Sequence, residues 1–134
     1  MILLEAYVLL WLDSDAPQLG QQARQVIQEA WQADQVAVSA ISFWEAAMLQ
    51  ERGRIALATT PSNWRNDWQA AGLRELPLTG RVALAAVALK GFHADPADRF
   101  IKATALEHDA LLITADQAIL NWPDRSLNRL DARH

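Results

Sequence analysis

The chain has 134 residues, no cysteine and a formal net charge of −4. This length suits one domain with a substantial hydrophobic core, so we treat residues 1–134 as a single domain. Without cysteine, the chain has no disulfide bond, no thiolate metal site and no cysteine nucleophile. The negative charge argues against a nonspecific polyanion binder, but it allows a nuclease whose acidic residues surround metal ions.

The first twelve residues, MILLEAYVLLWL, are mostly apolar, and Glu5 interrupts them. A secretory signal needs a basic n-region and an unbroken apolar segment, whereas the first basic residue here is Arg24. No apolar run approaches the ~20 residues of a membrane-spanning helix. These features predict a cytoplasmic protein without membrane contacts.

Strands alternate with helices in the hydrophobic pattern of the chain. The predicted strands are residues 1–5, 35–39, 73–78 and 110–114, with a final edge strand within 125–131. The predicted helices lie within residues 14–34, 41–54, 64–72, 79–91, 92–109 and 115–122, and a loop covers 58–63. Gly53 is expected to end the second helix, after Arg52 in its last turn.

This alternation predicts an α/β fold, a three-layer α/β/α sandwich with a mainly parallel central sheet. Ligands of such sheets bind outside the carboxyl ends of the strands. Glu5 ends the first predicted strand, and Thr114 and Asp116 lie at the end of the fourth. We therefore expect these three side chains to lie along one edge of the sheet.

Carboxylates are the candidate catalytic residues of this sequence. They are Glu5, Glu45, Asp98 and Asp116, with Asp95 as a supporting candidate. Acidic groups a few ångström apart repel one another and raise their pKa values, and a divalent cation relieves that repulsion. Oxygen ligands without cysteine or a histidine cluster favour Mg²⁺ or Mn²⁺, which activate water and stabilise a phosphodiester under attack.

Each candidate acid also has a purely structural interpretation. In Asp95-Pro96-Ala97-Asp98, Asp95 is a good N-cap, Pro96 suits the first helical position, and Asp98 completes an acidic capping box. Asp116 is favourable at a helix N-terminus because of the helix dipole, and Glu45 is equally compatible with a solvated helix face. His93, near Asp95, is more simply a surface residue than a phosphate contact.

Several stretches of the chain resemble a PIN domain, especially the VapC-type ribonuclease toxins of bacterial toxin–antitoxin pairs. The similar stretches, in order, are "MILLEAYVLLWL", "VSAISFWEAAMLQERGRI", "LPLT" and "FHADPADRFIKATALEHDALLITADQAIL". The last stretch is the most specific, because D-P-A-D-R, A-T-A and T-A-D follow one another in it. The resemblance implies an α/β/α sandwich with an acidic Mg²⁺ or Mn²⁺ site that hydrolyses single-stranded RNA.

The resemblance assigns roles to matching positions. Glu45 matches the second family acid, in the S-x-x-x-x-W-E pattern, and Asp98 matches the third, in D-R. Asp116 matches the fourth acid, in T-A-D, and Thr114 matches a hydroxyl that supports the metal site. In this assignment Glu5, Asp98 and Asp116 hold the metal, and Glu45 completes the coordination or orients the attacking water.

The chain departs from the family pattern at its first acid. Leu4-Glu5-Ala6-Tyr7 stands where the family normally reads L-D-T-H, so the first carboxylate is one methylene longer. Mg²⁺ requires near-octahedral oxygens at about 2.0–2.1 Å, and catalytic geometry tolerates deviations of only about 0.5 Å. Two hypotheses follow: a metal-dependent endoribonuclease, or a catalytically impaired module that binds RNA or a partner.

Contacts with partners are predicted at two further places. Arg52, Arg99 and Lys102 lie near the motifs and are candidate contacts for RNA phosphates. The resemblance also implies a homodimer and a small VapB-like antitoxin protein. An apolar strip just after Glu5 is most simply part of the core, and any exposed part of it is a candidate surface for an antitoxin helix. The strip consists of Val8, Leu9, Trp11 and Leu12.

Overall fold

The computed structural model describes residues 1–89 and 96–134. Its strands are β1 (Ile2–Leu4), β2 (Val36–Ser39), β3 (Arg74–Leu76), β4 (Leu111–Thr114) and β5 (Arg129–Asp131). All four pairings are parallel, and the sheet order is β3-β2-β1-β4-β5. The predicted parallel sheet is therefore confirmed, and β1 lies at its centre.

Seven helices connect or follow these strands in the described part of the chain. They are α1 (Ala6–Asp13), α2 (Gln21–Gln32), α3 (Ala40–Glu51), α4 (Pro61–Ala70), α5 (Gly80–Ala88), α6 (Pro96–Glu107) and α7 (Gln117–Leu120). None of the helices in residues 1–89 and 96–134 combines the length and hydrophobicity of a membrane span.

Alternate residues of β1 divide the core into two halves. Ile2 and Leu4 pack with residues of α1, α2 and α4, whereas Leu3 packs with residues of α6 and α7. Successive side chains of a strand point to opposite faces of the sheet, so helices cover both faces. This arrangement confirms the three-layer α/β/α sandwich.

Helix α1 is absent from the elements that the sequence predicts. Residues 6–12 are apolar at nearly every position, so they carry no helical periodicity. Val8 and Leu9 are fully buried in the core, so they are not part of the candidate antitoxin surface. Trp11 and Leu12 remain partly exposed. A helix that is buried on several sides has apolar residues at nearly every position, so its sequence shows no helical hydrophobic period.

The predicted helix boundaries are correct in some places and wrong in others. The loop predicted at 58–63 is wrong in its second half, because Pro61 is the first residue of α4 and Thr60 is its N-cap. Proline suits this position, since its missing N–H would be unpaired there. Gly53 has a φ of +71° and directly follows the C-cap Arg52, as predicted. The capping role of Asp95 lies outside the described residues.

Gly20 lies where residues 132–134 cross the start of α2. Its N–H donates to the carbonyl of Ala132 (2.9 Å), and the N–H of Gln22 donates to the carbonyl of His134 (2.6 Å). A Cβ at Gly20 would overlap the backbone of Arg133 and His134. This contact requires glycine because no flexible side chain is available to move aside.

We predict that Gly20→Ala destabilises the protein by about 1–3 kcal/mol, the usual cost of overpacking. Urea unfolding measures this change. Gly80→Ala is the matched control, because a Cβ at Gly80 meets nothing within 4 Å and a helical Ala is at least as stable as Gly. Equal free energies of unfolding for the two variants would contradict the prediction.

Candidate functional site

Glu5 lies directly after the central strand, and its side chain is buried (6% exposed). Its N–H donates to the carbonyl of Ile113 (3.1 Å), which fixes it beside the end of β4. Its Oε1 accepts from the N–H of Tyr7 (3.0 Å), so Glu5 is the N-cap of α1. β1 lies between β2 and β4 in the sheet. The carboxyl group of Glu5 is therefore held at the middle of the edge where the strands end.

The surroundings of Glu5 raise the pKa of its carboxyl group to about 7. Burial is the main cause, and the charges of Asp98 and Asp116 add to it. The backbone amides of Tyr7 and Ala115 oppose the shift. The pKa of Glu5 responds to Asp98 and Asp116 only because these carboxylates are near it. We call these three residues the acidic edge.

Asp116 reaches the acidic edge from the turn after β4. Thr114 is completely buried, and its Oγ1 accepts from the N–H of Asp116 (3.0 Å). Asp116 then caps α7, because its Oδ1 accepts from the N–H groups of Ala118 (2.8 Å) and Ile119 (3.2 Å). The hydroxyl therefore fixes the backbone of Asp116, the two amides fix its carboxylate, and both cap bonds use the same oxygen.

Asp98 comes from α6, which packs on the same face of the sheet as α7. It lies in the first turn of α6 and is half-buried. Among residues 1–89 and 96–134, no three acidic or histidine side chains are close enough to form a ready-made metal site. Asp95 and His93 lie outside the described residues, so their predicted roles stay predictions.

Glu45 borders a different cavity from the other acids. It is half-buried on α3 and lines a groove of about 330 Å³ between α3 and the start of α6. The other residues along this groove are Ile41, Trp44, Met48, Pro96, Ala97 and Phe100. The groove therefore reaches the turn of α6 that carries Asp98.

The three candidate phosphate contacts have different surroundings. Arg52 is exposed at the end of α3, and its role as a phosphate contact stays a prediction. Arg99 donates from Nη1 to the carbonyl of Ala86 (3.0 Å), which ties α6 to the end of α5.

Lys102 is completely buried, and its Nζ lies 3.0 Å from the ring centroid of Trp122. This burial is a correction to its prediction as a surface phosphate contact. Burial and the charges of Arg129 and Arg99 lower the pKa of Lys102 to about 7. No sequence signal identifies a buried amine, since lysine is almost never fully buried without a partner group.

Sequence reasoning missed a small cavity against the acidic edge. Its volume is about 260 Å³, and two of its walls come from Glu5 and Asp116. The remaining walls come from Tyr7, Trp11, Ala115 and Arg133. Tyr7 and Trp11 are four residues apart and share a face of α1. The sequence would indicate this shared face only if residues 6–13 were assigned to a helix.

We expect Glu5→Gln to become more stable relative to the wild type as the pH rises, when both are measured in EDTA. The folded-state pKa of about 7 lies above the ordinary 4.5, so the folded state binds this proton more tightly. The wild type therefore loses stability as the pH rises from 4.5 through 7, by roughly 2–4 kcal/mol. Urea unfolding at about pH 5 and about pH 8 measures the difference between the two proteins. A difference that does not change with pH would show that folding leaves this pKa where it was.

Comparisons with known proteins agree with this geometry. The PIN domain family model matches residues 2–123. The chain is 40% identical over 119 residues to Ribonuclease VapC22 of Mycobacterium tuberculosis (strain ATCC 25618 / H37Rv), covering 88% of each chain.

Two solved structures share the fold at lower identity. The VapBC2 complex of Rickettsia felis, bound to a DNA fragment from its promoter, matches with a TM-score of 0.71 and 15% identity, covering 97% of this chain and 98% of the other. A toxin–antitoxin complex from Klebsiella pneumoniae matches with a TM-score of 0.63 and 21% identity, covering 96% and 99%. With the family model over most of its length and a 40% identical relative, the chain belongs to the PIN domain family and is a homologue of VapC-type ribonucleases.

Proposed function

We propose that the chain is a divalent-metal-dependent endoribonuclease and the toxin of a toxin–antitoxin pair. The observation that carries this proposal is the acidic edge, where Asp98 and Asp116 raise the pKa of a buried glutamate at the end of the central strand. A cluster of mutually repelling carboxylates is costly to fold, and a bound cation offsets that cost. The name of the 40% identical relative, Ribonuclease VapC22, supports RNA as the substrate.

The donor chemistry of the acidic edge suits Mg²⁺ or Mn²⁺. Mg²⁺ is commonly held by one or two carboxylates, with water and substrate phosphate completing the octahedron. The absence of a three-residue site among the described side chains is therefore compatible with this metal. Glu5, Asp98 and Asp116 would hold it, one or two of them directly and the others through the waters that Mg²⁺ keeps. When bound, the cation supplies a water of lowered pKa and positive charge for the phosphate under attack.

The side chains of the chain itself orient these groups. Thr114 and the first amides of α7 hold Asp116, so its carboxylate meets a ligand without reorganising. The amides near Glu5 stabilise its ionised form. Glu45, one groove away, is proposed to orient the attacking water from the α3 side. Asp95 is proposed to support Asp98 from the N-terminal end of α6.

Asp98→Asn is expected to lower Mg²⁺- or Mn²⁺-dependent cleavage of single-stranded RNA by at least about 100-fold. The reason is that one charge facing the metal is lost, which is comparable to losing one electrostatic stabiliser of a transition state. Asp67→Asn is the matched control, since Asp67 is exposed on α4. Cleavage is measured on a 5′-labelled RNA with each protein at equal concentration. Equal rates for wild type and Asp98→Asn would rule out the role of Asp98.

A second candidate function is a PIN module that binds RNA or a partner without cutting it. The favouring observation is that burial raises the pKa of Glu5 to about 7, so near neutral pH a neutral, poorly ligating form of this side chain competes with the ionised form. The same cleavage assay with Glu5→Asp decides between the two functions. Cleavage that appears only in Glu5→Asp identifies the wild type as the impaired module.

We also infer that a small antitoxin protein binds this chain. Support comes from the VapBC2 and Klebsiella complexes, which share the fold, and from an apolar groove of about 550 Å³. Of the apolar strip predicted from the sequence, only Leu12 lines this groove. An amphipathic helix in a hydrophobic groove is a recurrent mode of peptide recognition. The remaining walls are Arg24, Ile27, Gln28, Trp31, Gln32 and Trp68.

Gln28→Arg is expected to weaken antitoxin binding by about tenfold or more, because a larger charged side chain would enter an apolar groove. The measurement is calorimetric titration with the antitoxin encoded beside this chain. Gln25→Arg, an identical change at an exposed position of α2 outside the groove lining, is the control. An unchanged affinity for Gln28→Arg would place the antitoxin elsewhere.

A further inference from the structure

The cavity against the acidic edge combines aromatic, cationic and acidic walls. Glu5 and Asp116 form its acidic side, and Tyr7, Trp11 and Arg133 form the other sides. Its volume of about 260 Å³ is slightly below the roughly 300–1,000 Å³ of clefts that take a drug-sized ligand. The cavity therefore suits one ring-sized group.

Tyr7 supplies an open aromatic surface beside the acids. Its side chain is exposed (41%), although it follows a buried glutamate by only two residues. The bond from its N–H to Glu5 fixes the backbone under the ring. A ring held this way loses little entropy when a flat partner stacks on it, because a tyrosine side chain has only two rotatable angles.

Arg133 also lines this cavity and is held there by its neighbours. Its Nη1 donates to the carbonyl of Ala115 (2.8 Å), and its guanidinium lies 5.6 Å from the ring centroid of Trp11. Its backbone N–H donates to Oδ1 of Asp131 (2.9 Å). A guanidinium has five N–H donors. The bond to Ala115 and an ion pair with Oδ1 of Asp131 (4.0 Å) both involve Nη1, so the donors on Nε and Nη2 remain for a ligand. Half of the Arg133 side chain is exposed, so a ligand reaches the other donors.

We propose that this cavity is a nucleotide subsite, in which the ring of Tyr7 stacks on one base of single-stranded RNA and Arg133 binds an adjacent phosphate. The proposal deepens the proposed function and rests on it for the identity of the substrate. Stacking and an arginine together form the usual platform for a single strand, because every base offers a flat face and every linkage a charge. The subsite places its nucleotide next to the acidic edge, and duplex RNA, whose bases are stacked, is excluded from it.

The location of Arg133 also compensates for the charge of the site. Phosphate approaching Glu5 and Asp116 meets two carboxylates, and Arg133 is the cationic residue in the lining of this cavity. Trp11 holds the guanidinium in place through a cation–π contact, so Trp11 acts as a positioning residue for Arg133. Tyr7 and Arg133 therefore have separate tasks, which two different measurements resolve.

The test is fluorescence anisotropy of a labelled single-stranded RNA in EDTA, where cleavage does not intervene. We expect Tyr7→Ala to weaken binding on the order of 5- to 150-fold, the loss of one base–aromatic stack. Tyr7→Phe keeps the ring and is expected to recover most of that loss. Arg133→Gln is expected to reduce the slope of log K against log salt by about 0.7, the value for one phosphate on a single strand.

Arg74→Gln is the matched charge control, because Arg74 is exposed on the edge strand β3, away from the cavity. It is expected to leave the affinity and the salt slope unchanged. The subsite is overturned if Tyr7→Ala binds RNA as tightly as the wild type, or if Arg133→Gln and Arg74→Gln have the same slope. The subsite is also overturned if the wild type does not bind RNA. Binding of the antitoxin, and not of RNA, at this cavity would explain such a result.

These outcomes are distinct from a failure of the proposed function. Binding that depends on Tyr7 and Arg133 without metal-dependent cleavage supports the subsite in a non-cleaving RNA-binding module. Cleavage that depends on Asp98, with binding indifferent to Tyr7 and Arg133, supports the nuclease and removes the subsite.

Discussion

The structure depends on burying a carboxylate where the central strand ends. β1 has a hydrogen-bonded strand on each side, so the residue after it has no route to solvent along the sheet. Glu5 occupies that position and is 6% exposed. An isolated buried anion costs several kcal/mol, and the fold offsets part of this cost with the amides of Tyr7 and Ala115. The part of the cost that these amides do not offset raises the pKa of Glu5, so the buried carboxylate favours binding a proton or a cation.

Much of the architecture could be predicted because it follows from periodicity and topology. Short β-branched runs predicted the strands β2 and β4 within a residue, and their alternation with helices predicted a parallel sheet. Parallel strands place their carboxyl ends on one edge of the sheet, so the sequence alone predicts that Glu5 and Asp116 lie near each other. The catalytic roles of these acids are proposed from their chemistry, because a fold fixes where groups lie and not what they do.

Other features lay outside the reach of the sequence because they depend on surroundings. The uniformly apolar residues of α1 have no period, so the helix that carries Tyr7 and Trp11 was invisible, and the cavity with it. The sequence predicts Lys102 to be a surface cation, yet its side chain is completely buried and its Nζ lies over the ring of Trp122. Glu45 lines the groove between α3 and the start of α6. The position of a side chain around its helix, and not its distance in sequence, decides which cavity it borders.

Capping and ligand binding are usually weighed against each other for an acid at the start of a helix, but here they are compatible. Asp116 uses one oxygen, Oδ1, for both amides of α7, which leaves Oδ2 for a ligand. Glu5 likewise caps α1 through Oε1. Cap bonds of about 1 kcal/mol each hold these carboxylates in place before any ligand arrives. The cap bond of Glu5 joins its carboxylate to the backbone N–H of Tyr7, so the acidic edge and the aromatic cavity both depend on the start of α1. A change at residue 5 therefore acts on both features, whereas a change at residue 116 acts on the acidic edge and on α7.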